Sequence, residues 1–109
     1  PKLLLDPDLM QQVIINLLKN ALEAVSAQTG SIQLALKPHE ATGQVEITVA
    51  DNGPGIDEKI AEQIFIPFFT TKSEGSGIGL SLARQIVQLH GGSLSFQTGS
   101  NGTTFSIKL

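Results

Sequence analysis

Three short stretches of this chain gather residue types suited to a charged, polar ligand. Asp51-Asn52-Gly53-Pro54-Gly55-Ile56 sets one carboxylate ahead of two glycines and a proline. The ionised acid accepts hydrogen bonds, and the glycines let another molecule come close to backbone. The same residues also read as a strand-ending turn in which Asp bonds its own backbone. Gly75-Ser76-Gly77-Ile78-Gly79-Leu80 leads from glycines into a helix-periodic run. Free amides at such a helix start make an anion site. Asn16 and Asn20 stand four apart, on one face of a helix. Asn20 points between the directions of Leu9 and Val13, where an amide needs a partner, in the fold or in a ligand.

One ligand satisfies all three. A nucleotide's base suits the Asp51 turn, its phosphates suit the glycine-led helix start, and its Mg²⁺ suits Asn20. Mg²⁺ keeps waters and phosphate oxygens in its shell, so one amide oxygen is a sufficient protein contribution. Other nucleotide motifs are missing. No G-x-x-x-x-G-K-[ST] run occurs, and the second glycine cluster is neither G-x-G-x-x-G nor directly preceded by a strand.

The elements that must position these residues follow from periodicity. Lys2–Leu5 reads as a short edge strand. Asp6 as N-cap, Pro7 at the first position and Asp8 start a helix that runs to about Ala27. Its apolar positions cover most of the circumference, so it is expected to be largely buried. Ser31–Lys37 alternates Ile32, Leu34 and Leu36 as a half-buried strand, and Val45–Ala50 follows as its hairpin partner. His39 falls in the intervening loop and reads as a solvated residue. Asp57 caps a short helix to Ile64. Phe65-Ile66-Pro67-Phe68-Phe69 then leads into the small, polar run from Thr70 to Gly79, the pattern of a mobile lid hinged on apolar residues. A helix from Ile78 to His90 carries Ile78, Leu82, Ile86 and Leu89 on one side with Leu80, Ala83 and Val87 adjoining, and His90 reads as structural. Ser93–Gln97 and Thr103–Leu109 form a hairpin with Phe105, Ile107 and Leu109 inward. The fold class is therefore α+β: a two-layer α/β sandwich, its mixed, mostly antiparallel sheet covered on one face by about three helices.

Composition narrows the partners. The 109 residues, 40% hydrophobic, suit one domain spanning the whole chain. The net charge of −3 and scattered Lys and Arg give no basic stripe for nucleic acid. Without cysteine there are no disulfides or thiolate metal sites. No apolar run is long enough to span a membrane, so this stretch reads as cytoplasmic and monomeric, and its opening as that of an excised domain.

The motifs together resemble a family. Asn16-Leu17-Leu18-Lys19-Asn20-Ala21 is similar to the N box of the GHKL, or Bergerat-fold, ATP-binding domains. Asp51–Gly55 resembles their first glycine box, Phe65-Ile66-Pro67-Phe68 their F box and Gly75–Leu80 their second glycine box; Gly102-Thr103-Thr104-Phe105 also matches. The order and the short lid look most like the catalytic domain of a two-component sensor histidine kinase of the nitrogen-regulation type.

The resemblance implies roles. Asp51 would accept from the adenine amino group, Gly53 and Gly55 would leave room for the base, and Ile56 and Phe65 would border it. Asn20 would hold Mg²⁺, with Asn16 supporting the phosphate end. Amides around Gly75, Gly77, Ile78, Gly79 and Leu80 would hold phosphates, with Thr71 and Lys72 reaching them from the lid. Thr104 would help hold adenine, with Thr103 as the fallback; Lys19 reads as a solvated helix residue. In the superfamily's ATPases, such as DNA gyrase B and MutL, the residue four before the Mg²⁺ asparagine resembles a glutamate base. Here it is Asn16, an amide that takes no proton at neutral pH, and Glu23 falls short of a clean turn beyond Asn20. That difference favours a kinase using ATP and Mg²⁺ over an ATPase or ATP-driven switch. Its phosphoacceptor would be a histidine on a separate dimerisation domain, with a response regulator downstream. Neither His39 nor His90 lies in a segment resembling the acceptor, and whether the parent chain is membrane-anchored is left open.

Overall fold

The computed structural model describes residues 6–25, 29–66 and 79–109. Lys2–Leu5 lies outside them, as do Pro67 to Ile78. Helix α1 (Pro7–Ala24) starts as its sequence dictates: the Asp6 carboxylate accepts from the amides of Asp8 at 3.0 Å and Leu9 at 3.1 Å, and Pro7 opens the first turn. It ends earlier than periodicity suggests, with Val25 already extended. It is also less buried than expected. Met10, Val13, Leu17 and Ala21 form the inward stripe, while Leu22 is 64% exposed, because a single sheet below covers only one side of the helix.

Strands β1 (Ile32–His39), β2 (Gln44–Asp51), β3 (Ser93–Gly99) and β4 (Gly102–Lys108) pair in the order β1-β2-β4-β3. All three pairings are antiparallel, so no parallel ladder occurs among the described residues. Both hairpins expected from the sequence form. One face of the sheet carries Val49, Phe105, Ile107 and Leu94 against α1 and α3 (Gly79–Leu89). The other carries Thr48, Thr104 and Ser106, the alternation of an antiparallel sheet with one solvated side. Strand β1 departs from expectation. It runs through Pro38 and His39, and Leu34 and Leu36, although on the helix side, are 54% and 68% exposed because α1 lies over β2.

The short helix α2 (Glu58–Ala61) is capped by Asp57, whose carboxylate accepts from the Lys59 amide, and gives way to turns before Ile64. Helix α3 buries Ala83, Ile86 and Val87, leaving Leu82 and Leu89 outward. Its inward side is thus centred on Ile86 with the adjoining Ala83 and Val87, at the edge of the face that spacing suggests.

Candidate functional site

Helices α1 and α3 meet along a seam held by side chains. The Asn16 amide group donates to the Gly79 carbonyl at 3.2 Å, and its own oxygen accepts from Gln12 at 3.0 Å. At the other end, His90 Nε2 accepts the Asp6 amide at 3.1 Å, so Nδ1 carries the proton and donates to the Ile86 carbonyl at 2.8 Å. The structural reading of His90 is correct.

The Asn16 stripe organises the cleft. Asn16, Asn20 and Ala24 fall in line, one turn apart, and Asn20 is half-buried. Asn16 touches the start of α3; the Ala24 carbonyl faces Gly53, 2.6 Å from where a Cβ would stand. Asn20 lies midway. With about 1.5 Å rise per residue, the stripe spans roughly 12 Å, the order of length of an extended nucleoside phosphate. Its ends are the described start of α3, at Gly79, and the Asp51 turn.

Asp51 closes strand β2, opposite Thr103 of β4. Its Oδ1 accepts from Gly53 N at 2.9 Å and Thr103 N at 3.3 Å. Nothing among the described residues donates to Oδ2. The local turn thus uses one oxygen of Asp51 and leaves the other for a ligand reading. Asn52 ties the turn down, accepting from Ser31 N at 2.7 Å and donating to the Thr29 carbonyl at 2.9 Å.

Three expectations are corrected here. Gly53 and Gly55 do not merely leave room for a base: their missing side chains make room for protein backbone. A Cβ on Gly55, at φ +85°, would collide with the Gly99 carbonyl, and one on Gly53 would meet Ala24. Thr104 faces away from the helices, opposite Ala50 and Gln97, whereas the fallback Thr103 is 4% exposed on the cleft side. Strand alternation decides between them. Phe65 is half-buried and packs on protein. Its ring packs with Phe96 and Phe105 at centroid distances of 5.9 and 6.4 Å, and the Arg84 guanidinium lies 4.9 Å over it.

Ile56 is placed by its amide, which donates to Thr98 Oγ1 at 2.7 Å; that oxygen is also 2.8 Å from Thr103 Oγ1. Sequence reasoning missed Thr98. Its one signal is alternation with Phe96 on the pocket-facing side of β3. At the described start of α3, Leu80 packs against the core. Thr71, Lys72, Gly75, Gly77 and Ile78 lie outside the described residues. His39 sits at the far tip of the β1–β2 hairpin, at the end of β1 and not in a loop, with Nε2 3.8 Å from Glu46.

Residues 5–109 match the family described as histidine kinase-, DNA gyrase B-, and HSP90-like ATPase. The chain belongs to that family. It is 46% identical over 101 residues to the C4-dicarboxylate transport sensor protein DctB of Rhizobium meliloti, covering 92% of this chain and 16% of DctB. It is 35% identical to the sensory histidine kinase/phosphatase NtrB of Shigella flexneri, covering 100% of this chain and 34% of NtrB. Among solved structures, the nucleotide-free catalytic domain of histidine kinase ThkA superposes with TM-score 0.84 at 37% identity, covering 96% of this chain and 68% of that one. The sensor-kinase resemblance and the two-layer fold are thus borne out. The chain spans about a third or less of the length of the curated relatives DctB and NtrB, and no described helix is long and apolar enough to cross a membrane.

Proposed function

We propose that this chain is the ATP-binding catalytic domain of a sensor histidine kinase, one domain spanning residues 1–109. It would bind Mg²⁺-ATP and present the γ-phosphate to a histidine on a separate dimerisation domain, ahead of a response regulator. The observation that carries this reading is the α1 stripe, which puts half-buried Asn20 between the open oxygen of Asp51 and the described start of α3. Asp51 Oδ2 accepts from the adenine amino group. Asn20 would hold Mg²⁺ through its side-chain oxygen, a hard-cation ligand. That fits the donor set, since the described residues hold no cluster of three His, Asp or Glu side chains to cage a metal alone. The amides of Gly79 and Leu80 would hold phosphates, the role that the resemblance gives also to Gly75, Gly77 and Ile78, with Thr71 and Lys72 reaching them. Mg²⁺ supplies charge neutralisation on the transferring phosphoryl group, and the domain's own work is positioning and electrostatics.

Asn16 argues against the ATPase alternative. Both ends of its amide are engaged, with Gln12 and Gly79, so it orients α3 and has no capacity to activate water. The test combines the chain, Mg²⁺-ATP and a separate histidine-bearing dimerisation domain from a sensor kinase. Acid-labile phosphate is expected on that partner and is lost with Asp51→Asn, which weakens ATP binding at least about tenfold. Tight ATP binding without transfer to any such partner, or steady phosphate release by this chain alone, refutes the kinase reading.

A further inference from the structure

We propose that Thr98 is a positioning residue for base selection: it holds the Thr103 hydroxyl as a donor, so that the pocket presents an acceptor beside a donor. The proposal rests on the adenine reading of the Asp51 turn and deepens it.

The network has a direction. The Ile56 amide donates to Thr98 Oγ1 at 2.7 Å and can do nothing else, since an amide N–H only donates. An oxygen that accepts a hydrogen bond becomes the better donor, because bonds in a chain polarise one another. Thr98 and Thr103 share one contact of 2.8 Å in which either can donate. The Ile56 bond favours one sense, the one proposed: Thr98 donates, Thr103 accepts. The Thr103 proton then has no partner among the described residues, and its hydroxyl lies on the cleft side of β4, directly across from Asp51. Thr103 is also the one buried polar side chain among the described residues. Its proton is therefore directed, not free to rotate in bulk water.

Asp51 contributes the opposite polarity. Oδ1 is occupied by the amides of Gly53 and Thr103, which leaves Oδ2 as a pure acceptor. An acceptor and a donor side by side match adenine, whose exocyclic amine donates and whose ring N1 accepts, directly or through one bridging water. Guanine presents the reverse order, a carbonyl that accepts and a ring N–H that donates. Without Thr98 the Thr103 hydroxyl can rotate to accept as well as donate, and half of the discrimination is lost. Thr98 touches no ligand in this scheme; it acts through Thr103.

The experiment measures dissociation constants for Mg²⁺-ADP and Mg²⁺-GDP by calorimetry on wild type, Thr98→Val and Thr98→Ser. The expected result is an ADP-over-GDP preference that falls about tenfold in Thr98→Val, the value of one hydrogen bond, and returns in Thr98→Ser. A merely structural role lowers both affinities together and leaves the ratio unchanged, which overturns the proposal while the adenine reading stands. A wild type that binds neither nucleotide, or shows no preference, overturns the adenine reading itself. If Thr98→Val does not fold, Thr98→Cys carries the same comparison, since a thiol keeps the volume but donates weakly; an unchanged ratio there overturns the proposal equally.

Discussion

Each glycine of the cleft serves a different physical need, and substitution separates them. Gly55 has a positive φ and the Gly99 carbonyl where a Cβ would go, so Gly55→Ala should destabilise the fold by about 2 kcal/mol or more, read as a lowered urea midpoint. Gly79 differs. Among the described residues a Cβ there meets only Asn16 Cγ, at the ordinary contact distance of 3.9 Å. Gly79→Ala should therefore leave stability unchanged or raise it by up to about 1 kcal/mol, as alanine favours helix. If the α3 start receives phosphates, the same variant weakens ATP binding. A Gly79→Ala protein with unaltered ATP affinity argues against that assignment.

At the scale of elements, the α1–α3 seam decides whether the two halves of the cleft keep their spacing. His90 bonds Asp6 and Ile86 at once, so His90→Ala should cost about 1–2 kcal/mol for the orphaned Asp6 amide and the lost contact at the α3 end. Thermal unfolding reads that loss. ATP affinity measured well below the midpoint should change less than with Gln12→Met, which releases Asn16 near the cleft. Much of this arrangement was legible in the sequence. The Asp6 and Asp57 caps, both hairpins and the Asn16–Asn20 face all follow from local rules that operate within a few residues. What was not legible depends on contacts distant in the chain. Thr103 and Thr104 look alike until the β2–β4 register assigns each a side, and Gly53 and Gly55 look like open space until Ala24 and Gly99 occupy it. The exposed Leu34 and Leu36 failed for the same reason, since alternation puts them on the helix side but does not say how far across the sheet the helices reach.

The whole molecule has its core where the two layers press together, between α1, α3 and the three inner positions of β4. Phe105 is 1% exposed and joins both Phe65 and Phe96. Phe105→Ala should cost about 3–5 kcal/mol. Set against total stabilities of about 5–15 kcal/mol, that is enough to leave much of the chain unfolded at physiological temperature, as circular dichroism would register. The edge of the sheet is the opposite case. Leu36→Lys on β1 should leave stability nearly unchanged and reduce aggregation on heating, because a charge blunts an open apolar edge. The two hairpin tips invite one more comparison, of value to anyone grafting a tag or a fluorophore onto this chain. Residues 40–43 and 100–101 look equally exposed and equally dispensable. The second tip, however, is flanked by Gly99 and Gly102, whose backbones rest against Gly55 and Asp51. Extra residues placed after Ala41 should be tolerated, whereas the same insertion after Ser100 should abolish nucleotide binding in a chain that still folds. What passes for a loose end of the sheet is the back wall of the pocket.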